Sequence, residues 1–249
     1  MNAGFKDHFS GHASAYAAAR PGYPDEVFAW LADNAPACNR AWDCATGNGQ
    51  AAVALAGHFG QVIATDASAE QIANAAPLPG IEYRVAPAES PGLEPNSIDL
   101  VTVAQAAHWF DRPTFYDAAR NVLRAGGLIA VWAYGLFEID AALDEVIEDF
   151  YRSTVGPYWP PERRLIDARY ATLDFPFAEI APPEFVMRCQ WTLDQVLAYL
   201  RTWSAVQRYR KARGTDPVSA IESTMSRLWG DRDTREVRWP LYMRVGYRD

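Results

Sequence analysis

Asp43-Cys44-Ala45-Thr46-Gly47-Asn48-Gly49-Gln50 joins an apolar run to a segment of small residues, Ala51-Ala52-Val53-Ala54. Glycines at 47 and 49 let the backbone bend sharply and approach a ligand without side-chain obstruction, while the first amides of the following helix face the same space. The stretch reads as a nucleotide-type binding loop between a strand and a helix. In a dinucleotide site those amides would cradle a pyrophosphate, and the Asp43 carboxylate, four residues before Gly47, would oppose it. A ligand that carries positive charge is favoured there.

The loop resembles the D-x-G-x-G-x-G of class I S-adenosylmethionine-dependent methyltransferases, with Ala45 at the first glycine. That cofactor has an ammonium and a sulfonium and no phosphate, which suits Asp43. Gly47-Asn48-Gly49-Gln50-Ala51-Ala52 also satisfies the G-x-G-x-x-A of nicotinamide and flavin enzymes. Three further segments follow in the order of the methyltransferase family. Val62-Ile63-Ala64-Thr65-Asp66-Ala67-Ser68 suits a second strand ending in an acid that accepts from ribose hydroxyls, a feature shared with dehydrogenases. Tyr83-Arg84-Val85-Ala86-Pro87-Ala88-Glu89, with Ser97-Ile98-Asp99-Leu100-Val101-Thr102-Val103, resembles the adenine-side A-E pair and the fourth strand. Ala119-Arg120-Asn121-Val122-Leu123-Arg124-Ala125-Gly126-Gly127 resembles the family's R-V-L-x-P-G-G helix end, with Ala125 where proline is usual, and leads into a fifth strand ending at Trp132. Taken singly, Asp66 also reads as a helix cap, Glu89 as a solvated loop charge and Gly126-Gly127 as a helix stop. Their ordered co-occurrence favours the family reading.

The resemblance implies S-adenosylmethionine as cofactor. It would be held by Asp43, Ala45, Gly47 and Gly49 of the loop, by Asp66, Ala67 and Gln71, by Ala88 and Glu89 on the adenine side, and by Gln105 and Ala106 after the fourth strand.

Apolar runs at 41–45, 62–65, 82–85, 98–103 and 127–133 alternate with helical segments, the pattern of a doubly wound α/β fold with helices on both faces. The resemblance adds a Rossmann-like, seven-stranded and mostly parallel sheet, whose last strand runs antiparallel at the edge. Asp111 followed by Pro113 marks a helix start, as does Asp140 further on. Thr192 with Gln195 forms a capping-box pattern, and Asp216-Pro217 opens another helix. Leu241, Met243 and Val245 alternate as a closing strand.

The 249 residues suit one large domain, and 49% hydrophobic residues can furnish its core. The expected organisation is a cofactor-covering N-terminal segment (1–35), a cofactor-binding core (36–134), a lid-like insertion (135–183) and C-terminal strands and helices (184–249). The formal net charge of −8 opposes a grip on nucleic acid. The basic cluster Arg208, Arg210, Lys211 and Arg213 reads as a solvated helix end. Cys38, Cys44 and Cys189 lack disulfide or zinc spacing, and no 18 consecutive apolar residues occur. A cytoplasmic protein is expected, without a membrane partner and with its oligomeric state unassigned.

Tyr16-Ala17-Ala18-Ala19-Arg20-Pro21-Gly22-Tyr23-Pro24, Gln105-Ala106-Ala107-His108-Trp109-Phe110 and Tyr199-Leu200-Arg201-Thr202-Trp203-Ser204 resemble small-molecule methyltransferases of the trans-aconitate type. This implies that Tyr16 and Arg20 close over the cofactor's amino-acid end, Arg20 meeting its carboxylate. It also implies a small-molecule acceptor, such as an organic-acid carboxylate. Gly156-Pro157-Tyr158-Trp159-Pro160-Pro161-Glu162-Arg163-Arg164 lies in the long excursion after the fifth strand. It reads either as a mobile acceptor cover, with Tyr158, Trp159, Arg163 and Arg164 toward the cleft, or as a loop anchored in the core. Trp109 and Trp203 are further acceptor-side candidates. His108 reads either as a base for a hydroxyl or amine acceptor or as a satisfied structural imidazole. His8 and His12 share a helical spacing but lack a third ligand, so no metal is expected. Three functions remain open at this stage: a small-molecule methyltransferase, a dinucleotide-dependent oxidoreductase, and a cofactor-binding protein without catalysis.

Overall fold

The computed structural model describes residues 22–249. Helix α1 (Asp25–Asn34) precedes a run of alternating elements: β1 (Arg40–Cys44), α2 (Gln50–Leu55), β2 (Gln61–Asp66), α3 (Ala69–Ala73) and β3 (Ile81–Val85). Then come β4 (Ile98–Ala104), α4 (Arg112–Val122) and β5 (Leu123–Tyr134). These five strands are parallel neighbours in the order β3-β2-β1-β4-β5. The middle strands are buried on both faces, which is why β1, β2 and β4 read as continuous apolar runs rather than alternating ones. On one face Ala51, Ala52 and Leu55 of α2 pack with Ala41, Val62 and Ala64. On the other, Phe115, Ala119 and Val122 of α4 pack with Trp42, Val101 and Ile129. The chain leaves β1 toward β2 on one side while β4 flanks it on the other, so the sheet has its topological switch point between β1 and β4.

The excursion is helical. α5 (Ala141–Asp149) starts at Asp140, whose carboxylate accepts from the Ala142 and Leu143 amides, and runs on into a π-helical turn at Phe150–Thr154. A 3-10 turn (Gly156–Tyr158) and α6 (Arg163–Asp167) follow. Beyond them lie β6 (Ala178–Ile180), β7 (Val186–Trp191), α7 (Leu193–Arg201), α8 (Ser204–Arg213), α9 (Ser219–Trp229) and β8 (Arg235–Tyr247). The expected capping box of α7 is present in both directions between Thr192 and Gln195. α9 begins at Ser219, slightly later than Asp216-Pro217 suggests; Asp216 accepts from the Val218 amide at 3.3 Å through Oδ1 and pairs through Oδ2 with Arg201 (2.8 Å) and Arg210 (2.9 Å). β8 does run antiparallel to β5, but it lies inside the sheet rather than at its edge. Its 13 residues are long enough to pair also with β6 and β7, giving eight strands among the described residues.

Asp99 ties the lower ends of the central strands. Its buried carboxylate accepts from the Asn39 and Arg40 amides, both at 2.9 Å, and from Arg124 at 2.8 Å. Removing it leaves two backbone donors without their acceptor, so Asp99→Ala is expected to lower stability by about 2–4 kcal/mol in urea unfolding, with cofactor affinity little changed. A loss under ~0.5 kcal/mol would contradict that accounting.

Candidate functional site

The loop after β1 is built on backbone conformations that few residues adopt. Ala45 has φ 55°, Gly47 59° and Gly49 89°, and across the switch point Gln105, after β4, has φ 58°. Two non-glycine residues in the left-handed region at adjacent strand ends mark a place where conformational cost is tolerated for position. The Gly47 amide donates to Asp66 Oδ2 at 2.9 Å, and the Ser68 amide to Asp66 Oδ1 at 2.8 Å, so the acid ending β2 holds the loop in place. A Cβ at Gly49 would collide with the Tyr83 hydroxyl, whose ring carbons would lie at 3.1 Å; one at Gly47 would meet only Gln71 Oε1, at 4.0 Å. Gly49 is therefore required by packing and Gly47 leaves open space above the loop.

Asp43, at the end of β1, is held between the loop and the neighbouring strand. It is fully buried, with Thr46 Oγ1 donating to one oxygen at 2.5 Å and Thr102 Oγ1 to the other at 2.8 Å. Burial pushes its carboxyl up to about 6; the two hydroxyls act against this and the nearby Asp66 charge adds to it.

Beyond Gln105, a 3-10 turn (Ala107–Trp109) carries His108, and α6 of the excursion lies against that turn. His108 is buried, stacks on Trp109 at 4.7 Å and shares a 3.0 Å hydrogen bond between Nδ1 and the Tyr170 hydroxyl. Burial, with Arg163 and Arg112 nearby, brings its pKa down to about 3, so the ring is neutral at physiological pH. Arg163 is held flat. Its Nε donates to Tyr151 Oη at 2.7 Å and lies 3.5 Å from Asp167, and its guanidinium covers the rings of Trp159 (4.6 Å) and Tyr151 (5.3 Å). Among the described residues no acceptor meets its terminal nitrogens. Trp203 closes the aromatic wall against Trp159 (5.6 Å) and Tyr151 (5.7 Å), and the Trp159 indole N–H is buried without an acceptor among the described residues.

Known proteins share this architecture and sequence. A model described as a methyltransferase domain matches residues 42–131. A Dictyostelium discoideum protein named "Putative methyltransferase" is 34% identical over 250 residues, covering 96% of this chain and 94% of the relative. The chain belongs to the class I S-adenosylmethionine-dependent methyltransferases. A solved "Putative Type II Methyltransferase" from Anaeromyxobacter dehalogenans is 40% identical, with a TM-score of 0.88 over 92% of this chain and 98% of that one. A Saccharomyces cerevisiae relative named "Probable S-adenosylmethionine-dependent methyltransferase" is 23% identical over 70% of this chain and 72% of its own. The dinucleotide reading of the loop falls away with the family.

S-adenosylmethionine, the cofactor of this methyltransferase, supplies a sulfonium-activated methyl group when bound. The residues at the switch point fit it. Gln105 donates from its amide nitrogen to the Tyr134 carbonyl at 2.9 Å and leaves Oε1 buried without a partner among the described residues, an acceptor suited to an ammonium. The Tyr83 hydroxyl beside Gly49 is likewise buried without a partner among the described residues. Ala67 and Gln71 follow Asp66 with partial exposure, and Ala88 and Ala106 are buried. Glu89 spends one oxygen on the Asp111 amide at 3.1 Å. Tyr16 and Arg20 lie outside the described residues, as do His8 and His12. Among the described residues no cluster of His, Cys, Asp and Glu could hold a metal ion, and no helix is long and apolar enough to cross a membrane.

The excursion divides the residues expected on the acceptor side. Trp159, Arg163 and Trp203 come together, with Trp109 on the neighbouring turn. Tyr158 instead turns to α8, where Arg213 donates to its hydroxyl at 2.9 Å and Tyr209 stacks at 5.0 Å. Arg164 is exposed. The basic end of α8 is thus partly used to pin the excursion rather than left to solvent. Tyr151, Tyr170 and Thr102 gave no warning in the sequence, since nothing local distinguishes them from core residues.

Asp43 gives the enzyme a pH dependence with a definite sign. Its folded-state pKa is raised, so the stability it contributes is fully present below about pH 4, where both states are protonated, and is lost as pH rises through about 6. A cationic ligand bound near the loop would offset the cost of ionising it. Calorimetry should show S-adenosylmethionine binding about tenfold more tightly at pH 7 than at pH 5, and Asp43→Asn should flatten the trend. Equal affinity at both pH values would contradict the prediction.

Proposed function

We propose that the enzyme methylates a carboxylate oxygen of a small organic acid, in the manner of the trans-aconitate group that its entry segment, its Gln105–Phe110 stretch and its Tyr199–Ser204 stretch resemble. The observation that carries this is Arg163: a guanidinium fixed through Nε and two aromatic faces, whose terminal nitrogens meet no protein acceptor among the described residues. Such a fork is matched by a carboxylate. In a chain of net charge −8, a guanidinium that is ion-paired through Nε with Asp167 at 3.5 Å but keeps its terminal nitrogens open, beside an indole N–H without an acceptor among the described residues, favours an anionic group over an amine.

In this reading 36–134 is the cofactor core and 135–183 the acceptor-side cover. Asp66 receives the ribose hydroxyls, Gln105 the amino-acid end, and Ala88 with Glu89 the adenine side. The aromatic wall excludes water from the reacting methyl. One carboxylate oxygen forms the new O–C bond while the S–C bond breaks and its electron pair stays on sulfur. No proton has to leave, so a base is not needed.

Mass spectrometry of mixed carboxylic acids, phenols and amines incubated with the enzyme and cofactor tests the reading. Acids are expected to gain one CH2 as esters that mild alkali hydrolyses. Gain confined to phenols or amines would overturn it.

A further inference from the structure

Tyr170 reaches His108 along an unusual backbone. Arg169 and Tyr170 have φ values of 53° and 56°, two consecutive non-glycine residues in the left-handed region. Side chains from β8 hold the turn: Arg244 Nη1 donates to the carbonyls of Tyr170 (3.0 Å) and Leu173 (2.9 Å), while its Nε binds Glu179 at 2.7 Å. The Arg169 guanidinium lies 5.2 Å over the Tyr242 ring. Backbone strain of this kind persists where the surroundings over-determine it, and functional sites are where it collects. Here the contact it produces is the one between the fully buried phenol and His108 Nδ1, at 3.0 Å.

The direction of that hydrogen bond follows from counting donors. If Nδ1 donated, the phenol's own proton would be buried with no acceptor among the described residues. If the phenol donates, its proton is satisfied and its oxygen remains available to the nearby His108 backbone N–H. The second arrangement leaves the fully buried phenol with its proton met and moves the open donor to the imidazole. It places the single proton of the neutral imidazole on Nε2, which meets no other protein group among the described residues. Arg163 and Arg112 are the charges that act on the ring, and both disfavour a second proton.

We infer that Tyr170 is a positioning residue that holds His108 as a neutral Nε2–H donor, and that this N–H acts with the Arg163 guanidinium to bind the acceptor's carboxylate. His108 is then a binding group and not a base. The second half rests on the carboxylate reading above; the first half does not.

Nitrogen-15 NMR of the full chain with labelled histidine tests the first half without any variant. The expected spectrum has His108 in one neutral form protonated at Nε2, unchanged between pH 6 and 8. A proton on Nδ1, or titration of His108 within that range, overturns the assignment. Kinetics test the second half. Tyr170→Phe should raise the acceptor KM by about tenfold, with kcat within about twofold, the loss expected when one oriented hydrogen bond is weakened. His108→Gln, whose amide still offers an N–H, should keep a flat pH-rate profile, while His108→Leu should raise KM about as much as Tyr170→Phe. A drop of about 100-fold in kcat for His108→Gln at saturating acceptor would make His108 a base and end the proposal. If no acid is a substrate, the carboxylate reading fails, and the NMR result still decides the Tyr170–His108 pair.

Discussion

Asp66→Ala is expected to weaken S-adenosylmethionine binding by about 2–4 kcal/mol, with the demethylated product affected to the same degree. Two losses combine. The carboxylate anchors the loop through the Gly47 and Ser68 amides, at 2.9 and 2.8 Å, and as a charged acceptor it would also receive the ribose hydroxyls. Hydrogen bonds to a charged group contribute about 1.5–3 kcal/mol each, and water recovers part of that in the variant. Asp66→Asn should lose less, because an amide oxygen still accepts one of the bonds. Calorimetry that found the alanine variant binding as tightly as the parent would remove Asp66 from the cofactor site.

The other large effect belongs to Arg163. Its replacement by alanine should lower kcat/KM for an acid acceptor by roughly 100- to 1000-fold, the scale of losing a two-pronged charge-assisted contact, expressed mainly in KM. Arg163→Lys should recover only part, since an ammonium keeps the charge but not the fork. Arg164→Ala is the internal control: that side chain is exposed, and its loss should change KM less than about twofold. Steady-state kinetics with equal KM values for Arg163→Ala and the parent would show that this guanidinium serves only the packing of Trp159 and Tyr151.

The parallel core was readable because its signals are local. The Asp43–Gln50 loop, Asp66, the Arg120 to Gly127 helix end and the apolar runs each report on a few consecutive residues, and β1 to β5 follow them closely. The caps at Asp140 and Thr192 were readable for the same reason: a short polar side chain before an apolar stripe has one favourable use. What escaped depends on contacts between distant segments. β8 reads as an edge strand until β6 and β7 are found paired to it. Asp43 was legible as the acid of the loop, but its partner Thr102, on β4, was not. Arg163 and Arg164 are indistinguishable in sequence; the aromatic faces of Tyr151 and Trp159 select one of them. Tyr170 was invisible because left-handed backbone at an Arg-Tyr pair has no sequence signature.

Proton balance during turnover tests the central claim most directly. Esterifying a carboxylate with S-adenosylmethionine releases no proton at neutral pH, whereas methylating a phenol or a protonated amine releases one for each methyl transferred. In lightly buffered solution at pH 7, with methyl transfer followed in parallel by mass spectrometry, turnover on the native acceptor should leave the pH unchanged. Stoichiometric acidification would contradict the account, and would return His108 to consideration as the group that takes the proton.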